Sequence, residues 1–151
     1  MMAMQLAEAA TILNARQWGP NAEFRGVSTD SRNLQKGNLF VALRGPRFDG
    51  HAFLDQAWDR GAAAAAVSRP VTTSMPCLTV PDTGLALQEL AHYWRQRFTL
   101  PVLGITGSNG KTTVKELCAA ILRCRGQVLA TQGNLNNEIG VPLTLFGLAA
   151  D

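Results

Sequence analysis

Residues 100–126, LPVLGITGSNGKTTVKELCAAILRCRG, constrain this chain more than any other stretch. A nearly continuous apolar run at 100–106 enters a glycine-rich turn. From Lys111 onward Val114, Leu117, Cys118, Ile121 and Leu122 recur at helical spacing until Gly126. The pattern predicts a strand, a glycine loop and a helix. Phosphates bind where backbone N–H groups converge, and Gly107 and Gly110 let the chain wrap closely enough to present them. The positive end of the following helix adds about 0.3–1 kcal/mol for one nearby charge. In such a loop Lys111 neutralises the β- and γ-phosphates and Thr112 places its hydroxyl on a magnesium ion, which makes Lys111 the candidate catalytic residue. A strand-to-helix turn alone needs one glycine, not the set Gly107, Gly110, Lys111, Thr112 and Thr113. One detail departs from the general G-x-x-x-x-G-K-[ST] spacing: Ile105 stands where the first glycine belongs, and Gly104 lies one residue too early.

The rest of the chain alternates helix and strand signals. Leu6, Ala9, Ala10 and Leu13 predict a short opening helix over 4–14, with Gly19-Pro20 as its stop. FRGVSTDSR reads as one strand running into a polar loop, GNLFVAL (37–43) as a buried strand, and GPRFDG as a loop. Phe53, Leu54, Ala57 and Trp58 share one face of a predicted helix at 51–60. AAAAAV (62–67) follows Gly61 and is short, which favours a buried strand. After a proline- and hydroxyl-rich stretch at 68–76, CLTV gives another short strand. Asp82 or Thr83 then caps a helix with Leu87, Leu90, Ala91, Trp94 and Phe98 on its apolar face. QVLAT (127–131) completes a parallel βαβ unit with the strand at 100–106. The class is α/β.

Composition excludes several functions. The chain has 151 residues, 46% of them hydrophobic, which suffices for one ordinary domain or two small ones. Fourteen basic and eleven acidic residues give a net charge of +3 without any run of like charge, so a nucleic-acid footprint is not expected. Cys77, Cys118 and Cys124 form neither a C-x-x-C pair nor an even-numbered framework, which fits reduced thiols and a cytoplasmic setting. No run of 18 apolar residues and no export signal is present in the sequence, so no membrane span is expected. His51 and His92 lack a carboxylate or cysteine at ligand spacing, and Trp18, Trp58 and Trp94 are expected in the core.

TGSNGKTT (106–113) resembles the ATP loop of the Mur ligases and their folylpolyglutamate synthetase relatives, T-G-[TS]-[NS]-G-K-[TS]-[TS], which lacks the leading glycine in the same way. STDSRNLQKGNLFVALRGPRFDGHAFLDQAWDRGA (28–62) is similar to the uridine-nucleotide-binding N-terminal domain of the E- and F-type members, and GNLNNEIGVPLTL (133–145) is similar to the F type. The resemblance covers essentially the whole chain. It implies a small N-terminal α/β UDP-sugar-binding domain at 1–81, then the start of a P-loop-type parallel-sheet ATP-binding domain at 82–151, with the rest of that domain and a C-terminal domain absent. For the F type it implies an ADP-forming amide ligase that adds D-alanyl-D-alanine to UDP-N-acetylmuramoyl-tripeptide through an acyl phosphate, in peptidoglycan precursor synthesis, as a cytoplasmic monomer. The 151 residues alone are then expected to be inactive. An E-type ligase using a diamino acid, a P-loop kinase or hydrolase with another acceptor, and a non-catalytic binding module are the alternatives.

The resemblance assigns Gly107, Ser108, Asn109, Gly110, Lys111, Thr112 and Thr113 to the triphosphate of ATP, with Thr112 on Mg2+. It assigns the loops Thr29, Asp30, Ser31, Arg32 and Arg47, Phe48, Asp49 to the uridine nucleotide, with Arg47 on the diphosphate and Phe48 as a stacking surface. Two readings stay open there, because Asp30 and Asp49 can also cap turns and Phe48 can plug the core. Asn134, Asn136 and Asn137 are equally divided between turn residues and a sugar or peptide contact; Asn134 and Asn137 are carried as candidates.

Overall fold

The computed structural model describes residues 2–133 and 135–149. Its centre is a five-stranded sheet of spatial order β2-β9-β8-β5-β4. Four of its strands run parallel: β4 (Val27–Ser28), β5 (Leu39–Val41), β8 (Ala64–Val67) and β9 (Cys77–Thr79). The strand β2 (Arg16–Trp18) closes one edge antiparallel to β9. Two small ladders flank the sheet, β1 (Ala3–Gln5) with β3 (Glu23–Arg25) and the hairpin of β6 (Arg44–Gly45) and β7 (Phe48–Asp49). The α/β class with a parallel sheet therefore holds for this chain.

Both faces of the central strands are covered, as parallel pairing requires. Leu39, Val41, Ala64, Ala66 and Leu78 point to one face, where helices α1 (Leu6–Ile12), α3 (Thr83–Gln96) and α5 (Gly140–Leu145) complete a single apolar cluster. Their alternates Phe40, Ala65, Val67 and Cys77 point to the other face and pack with Leu54 and Ala57 of α2 (Leu54–Asp59). This period-2 division makes three layers, helix, sheet and helix. The helix α3 starts on Asp82, whose Oδ1 accepts from Leu85 N at 2.9 Å, while Thr83 Oγ1 instead donates to the Ala42 carbonyl at 3.0 Å. Of the two caps that the sequence left open, Asp82 is the one used.

Several local expectations are corrected. The opening helix is shorter than the expected 4–14: it spans Leu6–Ile12, Ala3–Gln5 forms β1, and the chain leaves the helix through Asn14 at φ 46°, where Ala15 N bonds Ala10 O at 2.8 Å and Asn14 N bonds Thr11 O at 3.3 Å. That pairing satisfies the last helical carbonyls. The strand expected across FRGVSTDSR is two strands, because Gly26 at φ 78° turns the chain from β3 in one sheet to β4 in another. GPRFDG forms the β6–β7 hairpin with Pro46 and Arg47 at its tip. Trp18 and Trp58 are exposed, and only Trp94 is buried in the core, donating its ring N–H to Leu148 O at 3.1 Å. In the second half the helix α4 (Lys111–Arg123) forms, but 100–106 and 127–131 make no ladder. A strand needs a backbone ladder partner, and neither segment has one among the described residues. The expected parallel βαβ unit is therefore only a helix between two unladdered apolar segments. The apolar stripe of α4 is correspondingly open, with Leu117 58% and Ile121 68% exposed. The helix α5 was not expected from the sequence.

One polar clamp ties the loops after β5 and β8. His51 is buried, its Nδ1 lies 2.6 Å from Asp49 Oδ1, and its Nε2 accepts from Ser68 N at 3.0 Å. Arg69 Nη1 reaches Asp49 Oδ2 at 2.8 Å. The His51 backbone N–H and its ring hold the Asp49 carboxyl down to about 2.

Two predictions follow from this packing. Leu87, fully buried in the cluster under α3, should cost about 2–5 kcal/mol when replaced by alanine, read from urea unfolding. Because the Asp49 carboxyl is depressed in the folded state, its stabilising contribution is present above the ordinary carboxylate range near pH 4 and is lost as pH falls toward about 2. Thermal melts across that window should therefore fall less steeply for Asp49→Asn than for the native chain.

Candidate functional site

All four parallel strands point the same way, so the loops that leave their carboxyl ends collect along one edge of the sheet. Residues 29–32 follow β4, the β6–β7 hairpin follows β5, Ser68 and Arg69 follow β8, and Asp82 and Thr83 follow β9. In open α/β sheets this edge is where ligands sit. The two loops expected to meet the uridine nucleotide are thus brought to adjacent strands.

Within the first loop the polar groups are mutually bound. Asp30 accepts from the Arg32 backbone N–H at 2.9 Å and from Arg32 Nε and Nη2 at 3.0 and 2.8 Å. The guanidinium and that N–H pull the Asp30 carboxyl down to about 2. Ser31 is buried and donates to Gln56 Oε1 of α2 at 2.5 Å, and Arg60 Nη1 donates to the Arg32 carbonyl at 2.8 Å. Thr29 is half-buried beside them. Asp30 therefore shapes the turn and orients Arg32, and Ser31 fastens the turn to the helix.

The hairpin is different in kind. Arg47 at its tip is exposed and makes no ion pair among the described residues. Phe48 is 52% exposed and does not plug the core; its ring lies over Gly45, where an added Cβ would stand 2.5 Å from Cε1. Asp49 is committed to the clamp on His51 and Arg69. A free guanidinium and an open aromatic face thus project from a hairpin that Asp49 anchors.

The glycine loop at 107–110 leads into α4 through Gly110, at φ 74°, and Gly107 has φ 149°. Both values lie where side chains are rarely tolerated, and a Cβ at Gly110 would meet nothing within 4 Å, so the space over the loop is open. The N-cap position of α4 carries no side-chain cap, which leaves first-turn N–H groups for an outside acceptor. Lys111 Nζ curls back onto the Gly107 carbonyl at 2.6 Å. Ser108, Asn109, Thr112 and Thr113 are exposed. An uncapped helix of 13 residues behind two left-handed glycines, with a lysine folded over them, fits an oligophosphate. For a magnesium ion the loop itself offers the Thr112 hydroxyl; no cluster of three metal-ligating side chains occurs among the described residues.

Asn137 serves its own turn: its Oδ1 accepts from Gly140 N at 2.8 Å at the start of α5. It also borders a shallow groove of about 500 Å³ between α3 and α5, lined by Gln88, His92, Arg95, Asn136 and Glu138 among others. Asn134 lies outside the described residues. No hydrogen bond or ion pair joins the glycine loop to either of the two nucleotide loops among the described residues. The sequence alone argues against His51 as a metal ligand and does not single out Gln56, Ser68 or Arg69. The signal for the last two was available, since Ser68-Arg69 directly follows the predicted strand AAAAAV at the end where ligands bind.

Comparison with known proteins meets both ends of this arrangement. The family model described as Mur ligase family, catalytic domain, matches residues 23–95, and the Mur ligase middle domain matches residues 105–151. The UDP-N-acetylmuramoyl-tripeptide–D-alanyl-D-alanine ligase of Escherichia coli (strain K12) is 49% identical over 151 residues, 100% of this chain and 33% of that protein. Crystal structure I of MurF from Acinetobacter baumannii superposes with a TM-score of 0.91 at 38% identity, covering 98% of this chain and 34% of that one. The MurF ligase of Thermotoga maritima, solved in complex with ADP, does so with a TM-score of 0.74 at 38% identity, covering 81% of this chain and 29% of that one. The chain spans about a third of the length of the curated relatives it matches. With one family model on the sheet and its carboxyl-edge loops and another on the glycine loop and α4, the chain belongs to the Mur ligase family.

Proposed function

We propose that this chain supplies the UDP-sugar end and the triphosphate loop of an ADP-forming ligase that joins D-alanyl-D-alanine to UDP-N-acetylmuramoyl-tripeptide. The observation that carries the proposal is the uncapped N-terminus of α4 behind Gly107 and Gly110, in a chain that matches an F-type ligase along its full length. Joining a carboxylate to an amine requires an activated carboxyl group, which ATP with Mg2+ supplies by phosphoryl transfer to give an acyl phosphate. The chain's own part is binding and charge control. Gly107 through Thr113 would receive the triphosphate, Lys111 would leave the Gly107 carbonyl for the γ-phosphoryl oxygens, and Thr112 would give one hydroxyl to the metal.

At the sheet edge Arg47 would meet the diphosphate and Phe48 the uracil or ribose, while Thr29 and Arg32 border the nucleotide from the neighbouring loop. Asp30, Ser31 and Asp49 would act by holding those loops in place, since each is bound to a protein partner. Asn134, and Asn137 at the start of α5, remain the assignment for the sugar or peptide portion. The chain divides into the two proposed binding units. The proposed units are a UDP-sugar-binding part at 1–81 and the start of the ATP-binding part at 82–151, whose first helix, α3, packs on the sheet and on α5 in one apolar cluster. The reaction draws on ATP and nucleotide-linked substrate, which fits the cytoplasm, and every residue named comes from one copy. No helix among the described residues is long and apolar enough to cross a membrane.

The full-length protein should release ADP only when both UDP-N-acetylmuramoyl-tripeptide and D-alanyl-D-alanine are present; turnover with a diamino acid in place of the dipeptide would assign it to the E type instead. In that assay Lys111→Ala should lower kcat/KM by about 10²–10³-fold, the usual loss for one transition-state charge contact, with the thermal midpoint unchanged because Lys111 packs against no core residue. Arg47→Ala should raise KM for the UDP-substrate by about tenfold, the worth of one charge-assisted hydrogen bond, and leave KM for ATP as it was.

A further inference from the structure

The contacts among Asp49, His51, Ser68 and Arg69 close into a ring. Asp49 gives Oδ1 to the backbone N–H and Nδ1 of His51, at 3.0 and 2.6 Å, and Oδ2 to Arg69 Nη1 at 2.8 Å. Ser68 N donates to His51 Nε2 at 3.0 Å, and the Ser68–Arg69 peptide returns the circuit to Asp49. A backbone N–H can only donate, so Nε2 is the unprotonated nitrogen and Nδ1 carries the proton toward Asp49. The His51 side chain is 1% exposed, and it forms a fixed post under the carboxylate.

Arg69 stands at the other end of that post with its side chain 50% exposed and no other ion pair among the described residues. An exposed ion pair of this kind adds little to stability. What the ring does achieve is to hold a half-exposed guanidinium through Nη1 on the loop that leaves β8 at the carboxyl edge. The loop after β5, one strand away, carries Arg47 at its tip. A diphosphate lying along that edge has oxygens for both arginines, and an arginine already held in place loses less freedom on binding than a loose one.

We propose that Arg69 is a second diphosphate contact of the uridine-nucleotide site and that Asp49, braced by His51, is its positioning residue. The proposal rests on the UDP-sugar assignment made above. It is tested by titrating the full-length protein with UDP and, separately, with uridine. Arg69→Ala should weaken UDP binding about tenfold and leave uridine binding unchanged, at an unaltered thermal midpoint, and Arg69→Lys should recover part of the loss. Asp49→Asn should change the ratio of UDP to uridine affinity when Arg69 is present and not when it is alanine, a coupling that a purely structural aspartate would not show. Equal losses for the two ligands, or an unchanged UDP affinity in Arg69→Ala, would overturn the role of Arg69. An Asp49→Asn effect that persists without Arg69, or no effect on the ratio, would overturn the positioning role. A native protein that binds neither UDP nor uridine would instead bring down the UDP-sugar assignment, and this inference with it.

Discussion

Parallel pairing around β8 is the constraint on which the rest of the molecule depends. Its four residues, Ala64–Val67, are all buried between β5 and β9, and alternate between the two apolar clusters. Alanine is a weak strand former, so the strand is held by its neighbours and by its burial, not by its own preference. Small side chains on both faces also leave room for the larger residues of α3 on one side and α2 on the other. Because the strands are parallel, every connection must cross back over a face, and every carboxyl end lands on one edge. The loops of the candidate nucleotide site are neighbours for that reason.

How much of this was legible in the sequence depended on whether the signal was local. The buried strands at 37–43 and 62–67, the Asp82 cap and the helix from Lys111 all follow from short patterns that the structure reproduces. Periodicity failed where a face alone was read as a core. Leu117 and Ile121 of α4 have the same spacing as Leu87 and Ala91 of α3, yet the first pair is exposed and the second buried. Spacing establishes that a face is apolar and says nothing about what covers it. The segments at 100–106 and 127–131 failed for the same reason, since an apolar run becomes a strand only beside a partner. Gly26 was a local signal overlooked, because a glycine within a strand pattern often marks a change of direction.

The candidate residues were legible as places more than as roles. Aspartates in polar loops after strands were expected either to cap turns or to face a ligand, and distance decides in favour of the first: Asp30 and Asp49 each have their oxygens occupied by protein donors. Arg47 and Phe48 sit in the same loops with their groups unoccupied. The donors that occupy the aspartates are partly local, since Arg32 and His51 each stand two residues from the carboxylate they bind, while the fold brings Arg69 to Asp49, Gln56 to Ser31 and Ser68 to His51.

The two proposed anion sites are built in different ways. At the sheet edge buried His51 is hydrogen-bonded to Asp49 and Ser68, and Asp49 in turn holds Arg69 by an ion pair. At the glycine loop the cation is held in reserve. Lys111 spends its ammonium on a loop carbonyl at the surface, a contact whose net worth is about 0.5–1.5 kcal/mol, or somewhat more for its charge. Exchanging that carbonyl for a phosphate oxygen gains a full opposite charge, and the first-turn N–H groups of α4 gain an acceptor in the same step. In the proposed function that exchange would accompany the arrival of a triphosphate. Until then the Lys111 contact keeps the loop from presenting an unpaired cation beside two glycines that have little else to hold them.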